Sequence, residues 1–297
     1  MQDLGIVIVN WNTRDYLRAC LESVFASDGL SYRVVVVDNA STDGSADMVR
    51  AAFPKAELIA SAVNGGYPYG NNLGLRRLGF DGGAPSTTLP RYALLLNPDT
   101  VVPPHALAAM AAFMDQHPKY GVAGPKLVLA DGALDMACRR SFPSPEVSAY
   151  RMIGLSKLFP NSRRFGRYNM TFLDPNQETE VDSVVGAFMM VRREAIEAVG
   201  LLDEAFFMYG EDLDWAYRMR QAGWPAYYYP KVEVLHHKRA ASRQSRRAQV
   251  EFYRAMLIFY RKHYRAHTPW WLHQLVMAGL LLKGGRPILE MLRGGAP

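Results

Sequence analysis

Four short apolar runs punctuate the first part of the chain: Leu4 to Val9, Arg33 to Val37, Glu57 to Ala60 and Tyr92 to Leu96. Runs this short and this continuously apolar read as strands buried on both faces. Helical patterns separate them. Thr13 to Phe25 sets Tyr16, Leu17, Leu21 and Val24 on one side, Ser41-Thr42-Asp43-Gly44 turns into a helix reaching Phe53, and a third helix spans Asn72 to Leu78. A stretch rich in Gly, Pro, Ser and Thr, Gly79 to Arg91, reads as a loop. After the fourth strand, Pro103 to His117 forms a helix with proline in its first turn. Alternating strands and helices predict a three-layer α/β fold, Rossmann-like, with a mainly parallel central sheet.

In such sheets ligands lie outside the carboxyl ends of the strands. The residues just beyond three of the apolar runs are polar: Asn10 and Asn12, Asp38 and Asn39, Asn97 and Asp99. Asn and Asp also favour turns, but three such ends in succession point to a shared polar crevice. No glycine-rich dinucleotide fingerprint follows the first strand and no P-loop occurs. A nucleotide would therefore be held by carboxylates, amides and a metal.

Periodicity weakens from Arg139 to Asn176, where four prolines and many basic residues read as an insertion, either acceptor-facing or plain surface. Val181 to Val191 resumes a strand-like run, Arg193 to Val199 a helix, and Lys231 to Leu235 a strand followed by His236-His237. Between them Glu211-Asp212-Leu213-Asp214 opens a helix. Three carboxylates in four positions lie beside Phe206, Phe207, Tyr209 and Trp215, and an apolar surround raises a carboxylate's pKa and sharpens its basicity. Asp214 and Arg218 stand at i,i+4 and can pair.

The chain has 297 residues, 49% hydrophobic and 21% charged, which is globular composition. Cys20 and Cys138 stand far apart, as expected in a reducing compartment. The start carries Asp3 and no basic segment, so no signal peptide is expected. The net charge of +6 is uneven. Lys231 to Arg265 is strongly basic, which suits either an anionic partner (lipid headgroups, a diphosphate or nucleic acid) or a solvated basic face with no partner. The apolar stretch Trp270 to Leu282 is shorter than the roughly 20 residues a span needs. It reads either as an interfacial helix or as a helix docked on the body. These features divide the chain into an enzymatic domain, residues 1–240, and a basic helical tail, 241–297, with a peripheral cytoplasmic position on the inner face of the cell membrane.

Val36 to Ser45 reads VVDNASTDGS and follows the opening VIVNWN. Asn64-Gly65-Gly66-Tyr67 with Gly70-Asn71-Asn72, then Leu96-Asn97-Pro98-Asp99, then Gly210-Glu211-Asp212-Leu213-Asp214 come in order. This set resembles the inverting family 2 glycosyltransferases across roughly Leu4 to Ser242, most of all bacterial rhamnosyltransferases of polysaccharide assembly. The resemblance implies the GT-A fold with a helical C-terminal extension, and a metal-dependent hexosyltransferase. It implies a dTDP- or UDP-linked sugar donor held by Val9, Asn10, Asn12, Asp38, Asn64, Gly65, Asn72, Asn97 and Asp99, with Asp38 accepting a base imide N–H. Mg²⁺ or Mn²⁺ is expected on Asp99 and His236, with His237 as the competing assignment. Asn97 stands where the family's metal motif has its first aspartate. The catalytic group is Asp212 as general base, with Glu211 orienting and Asp214 positioning. The acceptor is expected to be a saccharide or a polyprenyl-diphosphate-linked saccharide, and the anionic membrane surface a partner. Nucleic acid is not expected, and a homo-oligomer is left open. Two alternatives stand beside this: a sugar-nucleotide pyrophosphorylase, which should show a basic Gly-rich loop after the first strand, and a non-enzymatic polyanion- or membrane-binding module, which leaves the clustered carboxylates unexplained.

Overall fold

The apolar runs become a ladder of parallel strands whose carboxyl ends share one edge. A computed structural model describes residues 2–82, 89–238 and 246–293. In it β1 (Leu4–Asn10) pairs in parallel with β2 (Tyr32–Asn39) and with β4 (Tyr92–Leu96), and β2 pairs in parallel with β3 (Glu57–Ser61). β1 and β4 are buried at every position, which requires cover on both faces. The cover is helical. α1 (Arg14–Phe25), α2 (Ser45–Ala52) and α3 (Tyr67–Arg77) connect the strands. α3 lies so close to β1 that a Cβ on Gly74 would meet Val7 Cγ1 at 2.4 Å, and one on Gly70 would meet Val9 Cγ1 at 2.7 Å. Glycine is needed there for close approach, and α3 begins at Tyr67 rather than Asn72 despite its Gly and Pro.

The rest of the sheet is mixed. β5 (Thr100–Val101) is followed by α4 (Ala106–Gln116) and β6 (Val122–Val128). The Gly-Pro-Lys in β6 hides it from a pattern reading, and the ladder shifts register at Pro125/Lys126. Within the expected insertion, α5 (Pro145–Met152) is capped by Ser144, whose hydroxyl accepts from the Val147 amide at 3.3 Å, and α6 (Leu155–Leu158) is one short turn. The expected single run from Val181 to Val191 resolves into β7 (Thr179–Val181) and β8 (Phe188–Arg192), parted by a loop through Gly186. α7 (Arg193–Val199) and α8 (Glu211–Gln221) lead to β9 (Ala226–His236), which starts ahead of Lys231. The nine-stranded sheet runs β3-β2-β1-β4-β8-β6-β9-β5, with β7 on β9. β8 is antiparallel to both its neighbours, and β5 and β7 are antiparallel to β9, while β6 and β9 are parallel; the parallel pairings have the longer registers, so most paired residues of the sheet lie in parallel ladders.

Three helices close the chain: α9 (Arg246–His263), α10 (Trp270–Gly284) and α11 (Arg286–Arg293). The middle of the expected loop at Gly79 to Arg91 (83–88) and the expected boundary at 240/241 lie outside the described residues. α9 packs on the body through Ala255, Ile258 and Phe259 against Phe206 and Leu213. It is also clasped electrostatically. Asp214, fully buried, receives His263 Nε2 at 2.7 Å, Lys262 Nζ at 2.8 Å and Arg218 Nε at 2.9 Å. Burial alone would raise its pKa, but His263 and Lys262 hold it down at about 2.

Removing one side of such a buried pair typically costs about 3–5 kcal/mol. Asp214→Ala should therefore lower unfolding stability by roughly that amount in urea titrations. A loss below about 1 kcal/mol, the range of surface pairs, would show that the clasp is not structural.

Candidate active site

At the ends of β1 and β2 the polar residues hold one another. Asn10 pairs across the ladder with Asp38. Its Nδ2 donates to Asp38 Oδ1 and to Ser41 Oγ, both at 3.0 Å, while Asp38 Oδ2 accepts the Ser41 amide at 3.0 Å. The Asn12 amide donates to Ser41 Oγ, and Asn12 Oδ1 accepts from the Thr42 amide at 2.8 Å. Asn39 reaches across to Asn64 Oδ1 at 2.9 Å and accepts the Gly65 amide at 3.2 Å. The loop after β2 and the loop before α3 are thereby fixed side by side. Gly65 has the Tyr69 ring where a Cβ would stand, at 2.3 Å, so its lack of a side chain serves packing. Val9 spends its side chain on α3, and Asn72 spends its amide on Leu202 and Glu204.

The second cluster is positioned by the β5–β9 pairing, in which Thr100 faces His236. Asp99, just before β5, comes to 3.4 Å (Oδ1) from His236 Nε2. The other ring nitrogen, Nδ1, meets Asp135 Oδ2 at 2.9 Å, and Lys238 closes on the same carboxylate. Asp135 sits beyond β6, the parallel neighbour of β9, where its amide donates to Leu127. Burial opposes charge on the imidazole, yet Asp135 and Asp99 raise His236 to about 9. Burial likewise opposes charge on Asp135, but His236 and Lys238 hold it well below the usual carboxylate range. His237 turns away: its ring lies against Tyr16 at 5.2 Å and its amide donates to the Asp99 carbonyl.

Among the described residues no group of three or more His, Cys, Asp or Glu is arranged to hold a metal. The Asp99–His236 pair supplies two ligand atoms, with the ring orientation set by Asp135 as metal-binding imidazoles commonly require. Mg²⁺ and Mn²⁺ often take one or two protein ligands and complete their shell with substrate phosphates. The pair fits a cation arriving with a diphosphate, rather than a standing all-protein cage.

The third cluster opens α8. Asp212 Oδ2 accepts from Arg140 Nη2 at 2.7 Å and from the Gly186 amide at 2.9 Å, and Oδ1 from the Leu213 amide at 2.7 Å. Arg140 is buried, because Arg139-Arg140 leads from Cys138 into the body rather than onto a surface: Arg140 bridges to Ser183 and donates to the Val184 carbonyl. Glu211 lacks such support. Its Oε2 is buried with no hydrogen-bond partner among the described residues. Burial, reinforced by the Asp212 charge, pushes its pKa up to about 8. The raised pKa expected from the apolar surround thus falls on Glu211. Asp214 faces α9 instead.

Asn97, Asp99, His236, Arg140, Glu211 and Asp212 line one cavity of about 950 Å³. Val9, Asn10, Asn12, Asp38, Asn64, Gly65, Asn72 and Asp214 lie outside its wall. Asp135 and Arg140, which hold His236 and Asp212, are the candidate site residues that the sequence reading did not single out. The only local signal was a charged residue beside apolar neighbours and a cysteine. Asn12, Ala40, Tyr209 and Lys238 hold φ values of 52°, 62°, 66° and 42°. Non-glycine residues in this region cost about 1–3 kcal/mol each and collect at functional sites.

The same fold occurs in a mannosyltransferase from Pyrobaculum calidifontis solved with GDP-Man and Mn²⁺, at TM-score 0.56 and 16% identity over 99% of this chain and 81% of that one. It occurs also in GalNAc-T7 solved with UDP, GalNAc and Mn²⁺, at TM-score 0.56 and 14% identity over 80% of this chain and 44% of that one. Polar strand ends beside an acid-lined cleft, on this sheet, define a glycosyltransferase of the GT-A fold. Residues 2–251 match the model for the glycosyltransferase like family 2, and the chain belongs to that family. It is 28% identical over 270 residues to an N-acetylglucosaminyl-diphospho-decaprenol L-rhamnosyltransferase of Mycobacterium tuberculosis, covering 90% of this chain and 86% of that protein. It is 25% identical to the rhamnosyltransferase WbbL of Escherichia coli, covering 78% and 82%. Family membership displaces the pyrophosphorylase and the non-enzymatic module.

Glu211 yields a pH test. Its pKa rises on folding from the ordinary 4.5 to about 8. The native state therefore holds a proton that the unfolded chain has lost, so stability falls as pH rises through that window. Glu211→Gln should flatten the fall and melt higher than the parent at about pH 8. Parallel melting profiles for the two proteins would show that Glu211 is not protonated in the fold.

Proposed function

We propose that this chain is an inverting, metal-dependent glycosyltransferase that moves a hexose, rhamnose being the sugar the relatives' names support, from a dTDP- or UDP-linked donor to a hydroxyl of a polyprenyl-diphosphate-linked saccharide. The observation that carries the reading is that the Asp99–His236 pair and the Glu211–Asp212 pair face one cavity. One pair suits the departing diphosphate and the other the incoming hydroxyl. In this reading Asp38 and Asn64 hold the nucleotide. Asp38 accepts two hydrogen bonds from the protein, and a carboxylate has about four lone pairs, which leaves capacity for an imide N–H.

Asp99 and His236 would hold Mg²⁺ or Mn²⁺, which when bound supplies charge neutralisation at the diphosphate. Asp212 is fixed in one orientation by Arg140 and the Gly186 amide before the acceptor arrives. Its Oδ1 accepts one bond, from its neighbour's amide, and has room to take the acceptor proton. Glu211, neutral below about pH 8, can donate to the acceptor or phosphate beside it. Direct displacement at the sugar carbon would invert its configuration. Among the described residues no helix is long and apolar enough to cross a membrane. α10 exposes Trp270, Trp271, Leu275 and Leu282, which supports a peripheral position in the headgroup region of the inner face.

Asp212→Asn keeps the shape and removes the proton acceptor. Turnover should fall by about 10²–10⁴, with unchanged affinity for the nucleotide; melting should drop as well, because Arg140 loses its buried carboxylate, so both proteins are compared at a temperature where nucleotide binding shows them folded. Near-normal turnover would reject Asp212 as the base, and a matching loss in Glu211→Gln instead would move the role by one residue.

Calorimetry of dTDP and UDP, with and without Mn²⁺, tests the metal pair. Mn²⁺ should tighten nucleotide binding to the parent chain and leave Asp99→Ala without that gain. An undiminished gain would place the ligands elsewhere.

A further inference from the structure

A second cavity, of about 350 Å³, opens beside the polar one, where the segment carrying α5 meets α9 and α10. Ligand pockets begin at about this size. Its walls include Met152, Leu213, Phe252, Met256 and Phe259, and its rim carries Arg151, Lys157 and Lys283. Tyr209, Leu213, Phe252, Arg151 and Lys283 line both cavities. Apolar space therefore runs into the catalytic cleft past a group of cations.

Three further observations say what would fill it. The rim cations are exposed, and none of the three forms an ion pair among the described residues; Arg151 instead lies over the Tyr168 ring at 4.3 Å. Large apolar side chains are exposed on the segments that carry its walls: Ile153 and Leu158, beside the lining residues Met152 and Lys157, are 69% and 70% exposed, and on α10 Leu282, beside Lys283, is 85% exposed and Trp270, at the far end of the helix, 77%. The two segments are one surface, since α10 closes on α5 at Gly279, where a Cβ would meet Met152 Cε at 2.5 Å. An apolar chamber with a cationic rim, set in an exposed apolar surface, matches an amphiphile with a long hydrocarbon chain and a compact anionic head.

We infer that this cavity is the acceptor's lipid subsite: it takes the first isoprene units of a polyprenyl diphosphate, with Arg151, Lys157 and Lys283 on the diphosphate, and so delivers the attached sugar to Glu211 and Asp212. The inference rests on the proposed transferase reading and extends it to a place for the lipid. The cations select an anionic head over a neutral lipid. The shared wall sets the distance between head and catalytic acids.

The test is calorimetry on the full chain with farnesyl diphosphate, with pyrophosphate, farnesol and dTDP as comparisons. Lys157 and Met256 line only the apolar cavity, so substitutions there should spare the nucleotide. Farnesyl diphosphate should bind more tightly than pyrophosphate or farnesol, by about tenfold or more, roughly 1.4 kcal/mol. Lys157→Glu should weaken it severalfold. Met256→Gln should weaken it while leaving pyrophosphate unchanged. Both variants should bind dTDP as the parent does, which also reports that they are folded. Farnesyl diphosphate that binds no better than pyrophosphate overturns the subsite, as does binding that dTDP displaces and neither substitution alters. Farnesol binding as tightly as its diphosphate would overturn the cationic rim. A parent chain that fails to bind dTDP and UDP would refute the transferase reading itself; one that binds them and ignores farnesyl diphosphate refutes only the lipid subsite.

Discussion

Arg140 and Asp212 meet at 2.7 Å with both side chains less than a tenth exposed, and neither could be left there alone. Withdrawing two charges from water is costly, and their attraction offsets the cost only when the remaining hydrogen bonds are also made. Here the Gly186 and Leu213 amides serve the carboxylate and the Val184 carbonyl accepts from the guanidinium, while Arg140 Nε is left without a partner among the described residues. The pair therefore requires three separate segments to be in place: the entry to the insertion, the loop between β7 and β8, and the first turn of α8. It gives Asp212 a guanidinium partner and leaves Glu211 Oε2 with none among the described residues, so that burial beside the Asp212 charge pushes Glu211 up to about 8. The cleft, the fixed orientation of the base and the route of the insertion across the sheet all follow from satisfying that charge.

The parallel ladder does the complementary task of bringing distant residues to one edge. Asn10, Asp38 and Asn97 stand at or just past the ends of β1, β2 and β4 because those strands run the same way in aligned register. The antiparallel insertion of β8 then widens the sheet, so that β9 can return and set His236 beside Asp99. Neither half holds both the strand ends and the acids of α8. The site lies where the parallel half meets the mixed one.

Much of this was legible in the sequence, for a physical reason. Strands buried on both faces must be apolar throughout, so β1, β2 and β4 announce themselves, and α7 shows its helical period. β6 did not, because Gly-Pro-Lys interrupts it, and the opening of α3 did not, because glycines that serve close packing look like turn residues. α9 was obscured by its charge, which drew attention to partners rather than to the buried Leu257 and Phe259. At the candidate site, Asp99, His236 and Asp212 were singled out through the family resemblance, and the fold places all three on one cavity. Their partners were not, because Asp135 lies 101 residues from His236 and Arg140 lies 72 from Asp212. No local pattern encodes such pairings. The same limit explains Glu211 and Asp212: identical chemistry side by side, separated only by what the fold places around each.

The clasp at Asp214 carries a consequence for how this chain can change. One buried carboxylate on α8, the helix that also bears Glu211 and Asp212, is balanced by His263 and Lys262 from α9. A neutral residue at 214 would leave His263 without its buried carboxylate and Lys262 with Asp203 alone, and loss of both cations would leave the acid with Arg218 alone. Substitutions at these positions should therefore be correlated across descendants of this sequence, passing together or not at all, although about fifty residues separate them. The helical tail and the catalytic helix form a single unit of inheritance, joined by charge rather than by adjacency in the chain.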